Sequence, residues 1–153
     1  MPRYTGKRVT DERLQRIRSI ARIQSLSLLD TAVTDDGIAV LAKATNLREI
    51  SIISEVLTDT CMETLCTLPA LVSLLIHDGL YITDRGIAHL KKRDSLHELY
   101  LNGTHLSDRG VDSFTHLEPI WSLSLERTHV TDQGVARLAP LENLRLLSLE
   151  DTA

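Results

Sequence analysis

Apolar residues along the chain follow two rhythms that take turns. One is a short alternation: Leu26 and Leu28, Ile50 and Ile52, Leu74 and Ile76, Leu99 and Leu101, Leu123 and Leu125, and Leu147 and Leu149 are pairs two residues apart. A period of two puts both members of a pair on one face of a strand. The other rhythm is wider. Ile38 with Leu41, Ile87 with Leu90 and Val135 with Leu138 are three apart, a spacing that shares one face of a helix. Strand pattern and helix pattern alternate from Ile23 onward, so the chain predicts a run of β-α units.

The units are copies of one another. They begin at Ile23, Leu47, Leu71, Leu96, Ile120 and Leu144 and read "IQSLSL", "LREISI", "LVSLLI", "LHELYL", "IWSLSL" and "LRLLSL". The steps between them are 24, 24, 25, 24 and 24 residues, the longer one absorbing an extra residue in "HDGLYITD". After each strand comes a turn, an aliphatic residue, and then Thr34, Thr58, Thr83, Ser107 or Thr131. These hydroxyls are helix N-cap candidates. Asp35, Asp59, Asp84, Asp108 and Asp132 follow, where negative charge suits the positive end of a helix dipole. Two residues further stands Gly37, Cys61, Gly86, Gly110 or Gly134. Glycine costs about 1 kcal/mol in a helix interior, so its recurrence predicts close backbone approach between stacked coils. One such unit cannot bury its apolar face alone, whereas a stack can.

A repeat of this length with the pattern L-x-x-L-x-L is the leucine-rich repeat signature. The chain resembles the leucine-rich repeat proteins over nearly its whole length. Within them it is similar to the TDxG-type bacterial repeats, and through those to the cysteine-containing repeats of F-box substrate adaptors. The resemblance implies an α/β solenoid, a right-handed β-α superhelix. A parallel sheet of about six strands would line its concave face and helices its convex face. Residues 1–153 form one domain on this reading: a capping helix in 1–22, repeats from 23, 47, 71, 96 and 120, and a partial repeat at 144–153.

Departures from the pattern carry their own expectations. Thr31, Thr104, Thr128 and Thr152 stand where many leucine-rich repeats place Asn or Cys after the strand. Glu55 and Gly79 break that row, which predicts that the middle of the stack is the least regular part. At the front, "VTDERLQRIRSI" reads as a half-unit that keeps the helix and lacks the strand. Leu14, Ile17 and Ile20 would cover the first coil while Arg13, Arg16 and Arg18 face water. The last stretch, "LRLLSLEDTA", stops just after a sixth strand. Its outer edge is expected to be covered by a second copy, by further repeats or by a partner.

Composition narrows the class. With 153 residues and a net charge of −4, the chain fits one domain with a real core. It contains no run near the roughly 18 apolar residues of a membrane span, and its start lacks an export-signal pattern. Cys61 and Cys66 lie close together in one predicted helix, which points to reduced thiols and a cytoplasmic setting. Arg3, Lys7, Arg8, Arg13, Arg16, Arg18 and Arg22 stand against Asp11 and Glu12 in the first 22 residues. That run is short, with Tyr4 its one aromatic residue, and reads as a solvated helix face rather than a nucleic-acid or lipid contact.

Enzyme chemistry finds little support. The glycines recur one per coil and form no phosphate loop. Cys61 and Cys66 are five apart, the wrong interval for a metal pair on one helix face, and Cys61 takes the place of a repeat glycine as a small packing residue. His105 and His129 occupy one position in adjacent coils, about 5 Å apart. Two ligands fall short of the four or three that zinc sites use, so they read as exposed loop histidines. No cofactor, metal or catalytic group is expected. What remains is the open face of the sheet, at the third, fifth and seventh positions of each unit. Leu29, Ile53, Leu75 and Tyr100 cluster there with His77 beside them and Asn102 next, and the face turns acidic through Glu98, Glu126 and Glu150. Trp121 sits at the second position, at its margin. Apolar and aromatic residues aligned on adjacent strands mark an interaction surface. The expected function is a non-catalytic protein-interaction module, binding a protein or peptide with basic and apolar features. Its candidate contacts are Leu29, Ile53, Leu75, His77, Tyr100, Asn102, Trp121 and Glu126. A second reading is the substrate-recognition part of an F-box-like ubiquitin-ligase adaptor, against which no F-box-like helical segment precedes the repeats.

Overall fold

A computed structural model describes residues 3–6 and 8–153, the side chain of Arg3 excepted. Arg3 as a charge and Lys7, both part of the basic run, therefore lie outside the described residues. The apolar pairs form strands as their period requires: β1 (Arg3–Thr5), β2 (Ser25–Leu29), β3 (Glu49–Ile53), β4 (Ser73–His77), β5 (Glu98–Leu101), β6 (Ser122–Ser124) and β7 (Leu146–Ser148). They pair in sequence order, every pair parallel, as one sheet. Ser25, Glu49, Ser73, Glu98, Ser122 and Leu146 stand side by side, so each repeat position becomes a row across the sheet. The inward pairs from Leu26 and Leu28 to Leu123 and Leu125 are at most 1% exposed. That burial is the main stabilising term of the stack.

Between strands lie short helices: α1 (Asp11–Gln15), α2 (Asp35–Ala39), α3 (Asp59–Leu65), α4 (Asp84–Ile87), α5 (Asp108–Val111) and α6 (Asp132–Ala136). After α2 and α4 the chain tightens into 3₁₀ turns at Val40–Lys43 and Ala88–Lys92. Ile38, Leu41, Ile87 and Leu90 are fully buried against the sheet. Phe114, the one phenylalanine, is buried in the fourth coil.

Two expectations change. The front coil has a strand of its own, since Arg3–Thr5 pairs with Ser27–Leu29. The segment "RYT" carries no leucine pattern, so periodicity passed over it. The middle of the stack is also not irregular in its sheet: β3 and β4 hold register over all five positions, and α3 is the longest helix. The irregularity is confined to turns. Asp30, Asp78, Gly103, Arg127 and Asp151 follow their strands with positive φ, whereas Ser54 at the same place in the second coil does not. There the Ser54 hydroxyl accepts the Val56 N–H at 3.3 Å instead.

The threonine–aspartate–glycine phrase acts across coils. Thr58, Thr83, Ser107 and Thr131 cap their own helices by accepting the N–H two residues on. Thr34 makes no such bond. Each aspartate reaches forward to the next coil's cap: Asp84 accepts the Ser107 N–H at 2.8 Å and the Ser107 hydroxyl at 2.5 Å. The same pair of bonds joins Asp11 to Thr34, Asp35 to Thr58, Asp59 to Thr83 and Asp108 to Thr131. The Thr131 N–H and then its hydroxyl hold the Asp108 carboxyl below the ordinary carboxylate value. The glycine makes room for this. A Cβ on Gly110 would run into Asp84 Oδ1 and lie 3.0 Å from its Cγ. In the front half-unit Arg13 stands where later coils have glycine, and its guanidinium lies over the Tyr4 ring, 5.9 Å from the centroid. In the second coil Cys61 takes the place, and burial, with the Asp35 charge behind it, pushes its thiol up. Thr104, Thr128 and Thr152 donate to the carbonyl three residues back in their own turns. The buried Thr31 hydroxyl has no partner among the described residues.

Candidate functional site

Strand alternation carries the third, fifth and seventh positions to the face away from the helices. The register brings Leu29, Ile53 and His77 into one row, and Ser51, Leu75 and Tyr100 into the next. The apolar cluster anticipated from the sequence is thus contiguous, with Leu29, Ile53, Leu75, His77 and Tyr100 each partly exposed. The His77 and Tyr100 rings meet edge to face at 6.2 Å, and the Tyr100 hydroxyl shares a hydrogen bond with Ser122 Oγ at 3.1 Å.

Beyond this cluster the face is tied together by hydrogen bonds from coil to coil. Asn102 is only 3% exposed. Its Oδ1 accepts from the Ser124 hydroxyl at 2.7 Å and from the Glu126 N–H at 3.2 Å. Its amide nitrogen lies 3.4 Å from His77 Nδ1 and donates to Glu126 at the same distance. Glu126 in turn accepts from Ser148 at 2.6 Å. Asn102 therefore organises the surface from beneath rather than offering contact area. Glu49 accepts from Ser25 and Glu98 from Ser73 in the same coil-to-coil manner. The serines of these rows were expected to face solvent. Ser27, Ser73, Ser122 and Ser124 are buried instead, because their longer neighbours close over them.

Trp121 is 36% exposed and lies at the margin of the sheet. It lines one shallow hollow with Arg48, Val72, His97 and Glu98, and another with Pro119, Asn143 and Arg145. A separate hollow on the open face is bounded by Tyr100, Ser122, Glu126, Leu146 and Ser148. Tyr100 and Glu126 thus share a concavity, whereas Trp121 belongs to the neighbouring margin. Leu146 and Leu147 are 56% and 42% exposed on the last strand.

Two features escaped the sequence reading. Val56, Leu80 and Tyr81 are exposed at the opposite margin, where the chain leaves the sheet. Val56, Tyr81, His105 and His129 each stand two residues before a helix cap, a shared position that would have revealed the column. The other is Arg93, 8% exposed, where other coils bury Ala44, Leu68, Leu117 and Leu141. Its guanidinium donates to the carbonyls of Leu68 and Leu71 at 2.9 and 2.7 Å, while Nε has no partner among the described residues. The inserted residue of the third unit displaces the alignment by one and hides this substitution.

No family model and no curated protein sequence matches the chain. Solved structures do. Internalin C2 of Listeria monocytogenes aligns with a TM-score of 0.70 and 25% identity, over 84% of this chain and 52% of the internalin. An internalin (InlF) of the same bacterium aligns with a TM-score of 0.52 and 22% identity, over 84% of this chain and 49% of its own. The chain spans about half the length of these neighbours. Together with the seven-stranded parallel sheet and its alternating helices, they establish an α/β leucine-rich repeat solenoid.

Proposed function

We propose that this solenoid is a non-catalytic protein-interaction module whose open sheet face binds a basic, partly apolar peptide or protein segment. One observation carries the reading. Across the third, fifth and seventh positions from Ser25 to Glu150 stand Glu49, Glu98, Glu126 and Glu150, and no lysine or arginine. These carboxylates flank the partly exposed Leu29, Ile53, Leu75 and Tyr100. An acidic face with an apolar patch at its centre suits a ligand of opposite charge with aliphatic anchors. Rows of hydrogen bonds hold Glu98 and Glu126 in place before any ligand arrives, which lowers the ordering cost of binding. Trp121 would extend contact along the margin. The cytoplasmic setting read from the sequence belongs to this proposal; Cys61 and Cys66 are free and buried. No helix among the described residues is long and apolar enough to cross a membrane.

Selection from a displayed random-peptide library tests the reading. Enriched peptides should combine Lys or Arg with aliphatic residues, bind more weakly as salt rises, and lose binding to Leu75→Asp and Glu98→Lys. Circular dichroism of both variants should match the parent. Enrichment of acidic peptides, or binding indifferent to both substitutions in folded protein, would refute the assignment.

A further inference from the structure

His105 and His129 were set aside above as exposed loop histidines; the geometry points to more. We infer that they form a two-imidazole clip for a borderline transition-metal ion such as Cu²⁺ or Zn²⁺, at the margin of the sheet beside the fourth and fifth coils.

The backbone at both positions is fixed by the repeat. The His105 N–H donates to the Ile82 carbonyl at 2.8 Å and the His129 N–H to Leu106 at 2.9 Å. Thr83 and Ser107 bridge to them in parallel register. Both side chains are exposed, and the ring centroids lie 5.2 Å apart with a tilt of 44° between planes. With metal–nitrogen bonds of about 2.0–2.1 Å and half a ring behind each nitrogen, two imidazoles on one tetrahedral ion have centroids about 5 Å apart. The observed separation meets that requirement without moving the backbone.

The two rings are also uncommitted. Among the described residues neither imidazole makes a hydrogen bond, whereas His97 Nδ1 faces the Ser95 carbonyl at 3.0 Å and His116 Nε2 the Arg93 carbonyl at 2.6 Å. His77 Nδ1 is shared with Asn102. No group of three metal-ligating side chains converges among the described residues, so water or an outside donor would complete the shell. That fits an exchangeable ion rather than a structural zinc. Imidazole ligation selects Cu²⁺ and Zn²⁺ over Mg²⁺ and Ca²⁺, with Cu²⁺ the tightest. Because the ligands sit on successive coils, the ion would cross-link them.

Titration calorimetry with CuCl₂ and ZnCl₂, in a non-chelating buffer at about pH 7.5, tests the clip. One Cu²⁺ should bind, and His105→Ala and His129→Ala should each weaken it at least about tenfold, as losing half of a chelate does. His89→Ala should leave the affinity unchanged. Zn²⁺ should raise the unfolding midpoint of the parent but of neither clip variant. Parental affinity in either clip variant, equal loss in His89→Ala, or no stoichiometric Cu²⁺ binding would each overturn the inference.

Discussion

Gly110 offers the sharpest test of how the coils are joined. In a solvated helix, Gly→Ala gains up to about 1 kcal/mol. Here the new methyl group would displace the Asp84 carboxylate, which holds the Ser107 N–H and hydroxyl at 2.8 and 2.5 Å. Hydrogen bonds to a charged group contribute about 1.5–3 kcal/mol each, but these are only partly buried. Discounting for solvent gives about 2–3 kcal/mol for the pair. Gly110→Ala should therefore cost about 1–2 kcal/mol once the helix gain is subtracted, and Asp84→Ala about 2–3 kcal/mol. The decisive quantity is their combination. With the carboxylate gone, Leu106 Cδ1 is the remaining close neighbour of the new methyl group, and a leucine tip can move aside. In the Asp84→Ala background Gly110→Ala should thus be neutral or stabilise by up to about 1 kcal/mol, a coupling of about 1–3 kcal/mol in a double-mutant cycle. Urea unfolding followed by circular dichroism and by Trp121 fluorescence gives the four stabilities, and coincident transitions validate them. Additive losses, or a Gly110→Ala variant as stable as its parent, would show that the carboxylate does not hold that space.

The core and the thiols give two more expectations. Leu125→Ala, at a fully buried position, should cost about 2–5 kcal/mol. Ser124→Ala next to it should cost about 1 kcal/mol through the lost bond to Asn102, and equal losses in chemical denaturation would refute the assignment of faces. Burial pushes the Cys66 thiol from 9.0 up to about 12, and Cys61 is raised as well. The folded state thus favours the protonated thiols. Their contribution is fully present below pH 9.0 and is lost as pH rises from there toward about 12. Unfolding measured between about pH 8 and pH 11 should show this slope, flattened in Cys66→Ala; an unchanged slope in that variant would contradict it. Both thiols should resist thiol reagents until the protein unfolds.

Much of the architecture was legible because it repeats. The pairs from Leu26 and Leu28 onward predicted strand position, register and inward face, since a period of two has one physical solution in a half-buried sheet. Where the pattern did not recur, sequence reading failed. "RYT" forms a strand because β2 offers an open edge, which no residue in it announces. The cluster of Leu29, Ile53, Leu75 and Tyr100 was readable from register alone. The closure over Asn102 was not, because it depends on the length of Glu126 and Ser124 reaching across from the next coil. The aspartates illustrate the difference best: their place at a helix start was evident, but their partner one coil away becomes visible only when neighbouring units stack.

That forward reach gives the molecule a grammar of growth. Each aspartate from Asp11 to Asp108 addresses the cap of the following coil and no other, so these junctions are the same sentence with a fixed direction. Gain or loss of one complete 24-residue unit leaves all remaining junctions readable. A single added residue is tolerated only where nothing is being read, and Leu80, which has no counterpart in the other units, sits in such a gap, in the turn ahead of Tyr81 and the Thr83 cap. Lengthening the protein by whole units is therefore a small edit, while an insertion between a cap and its glycine would break the text on both sides.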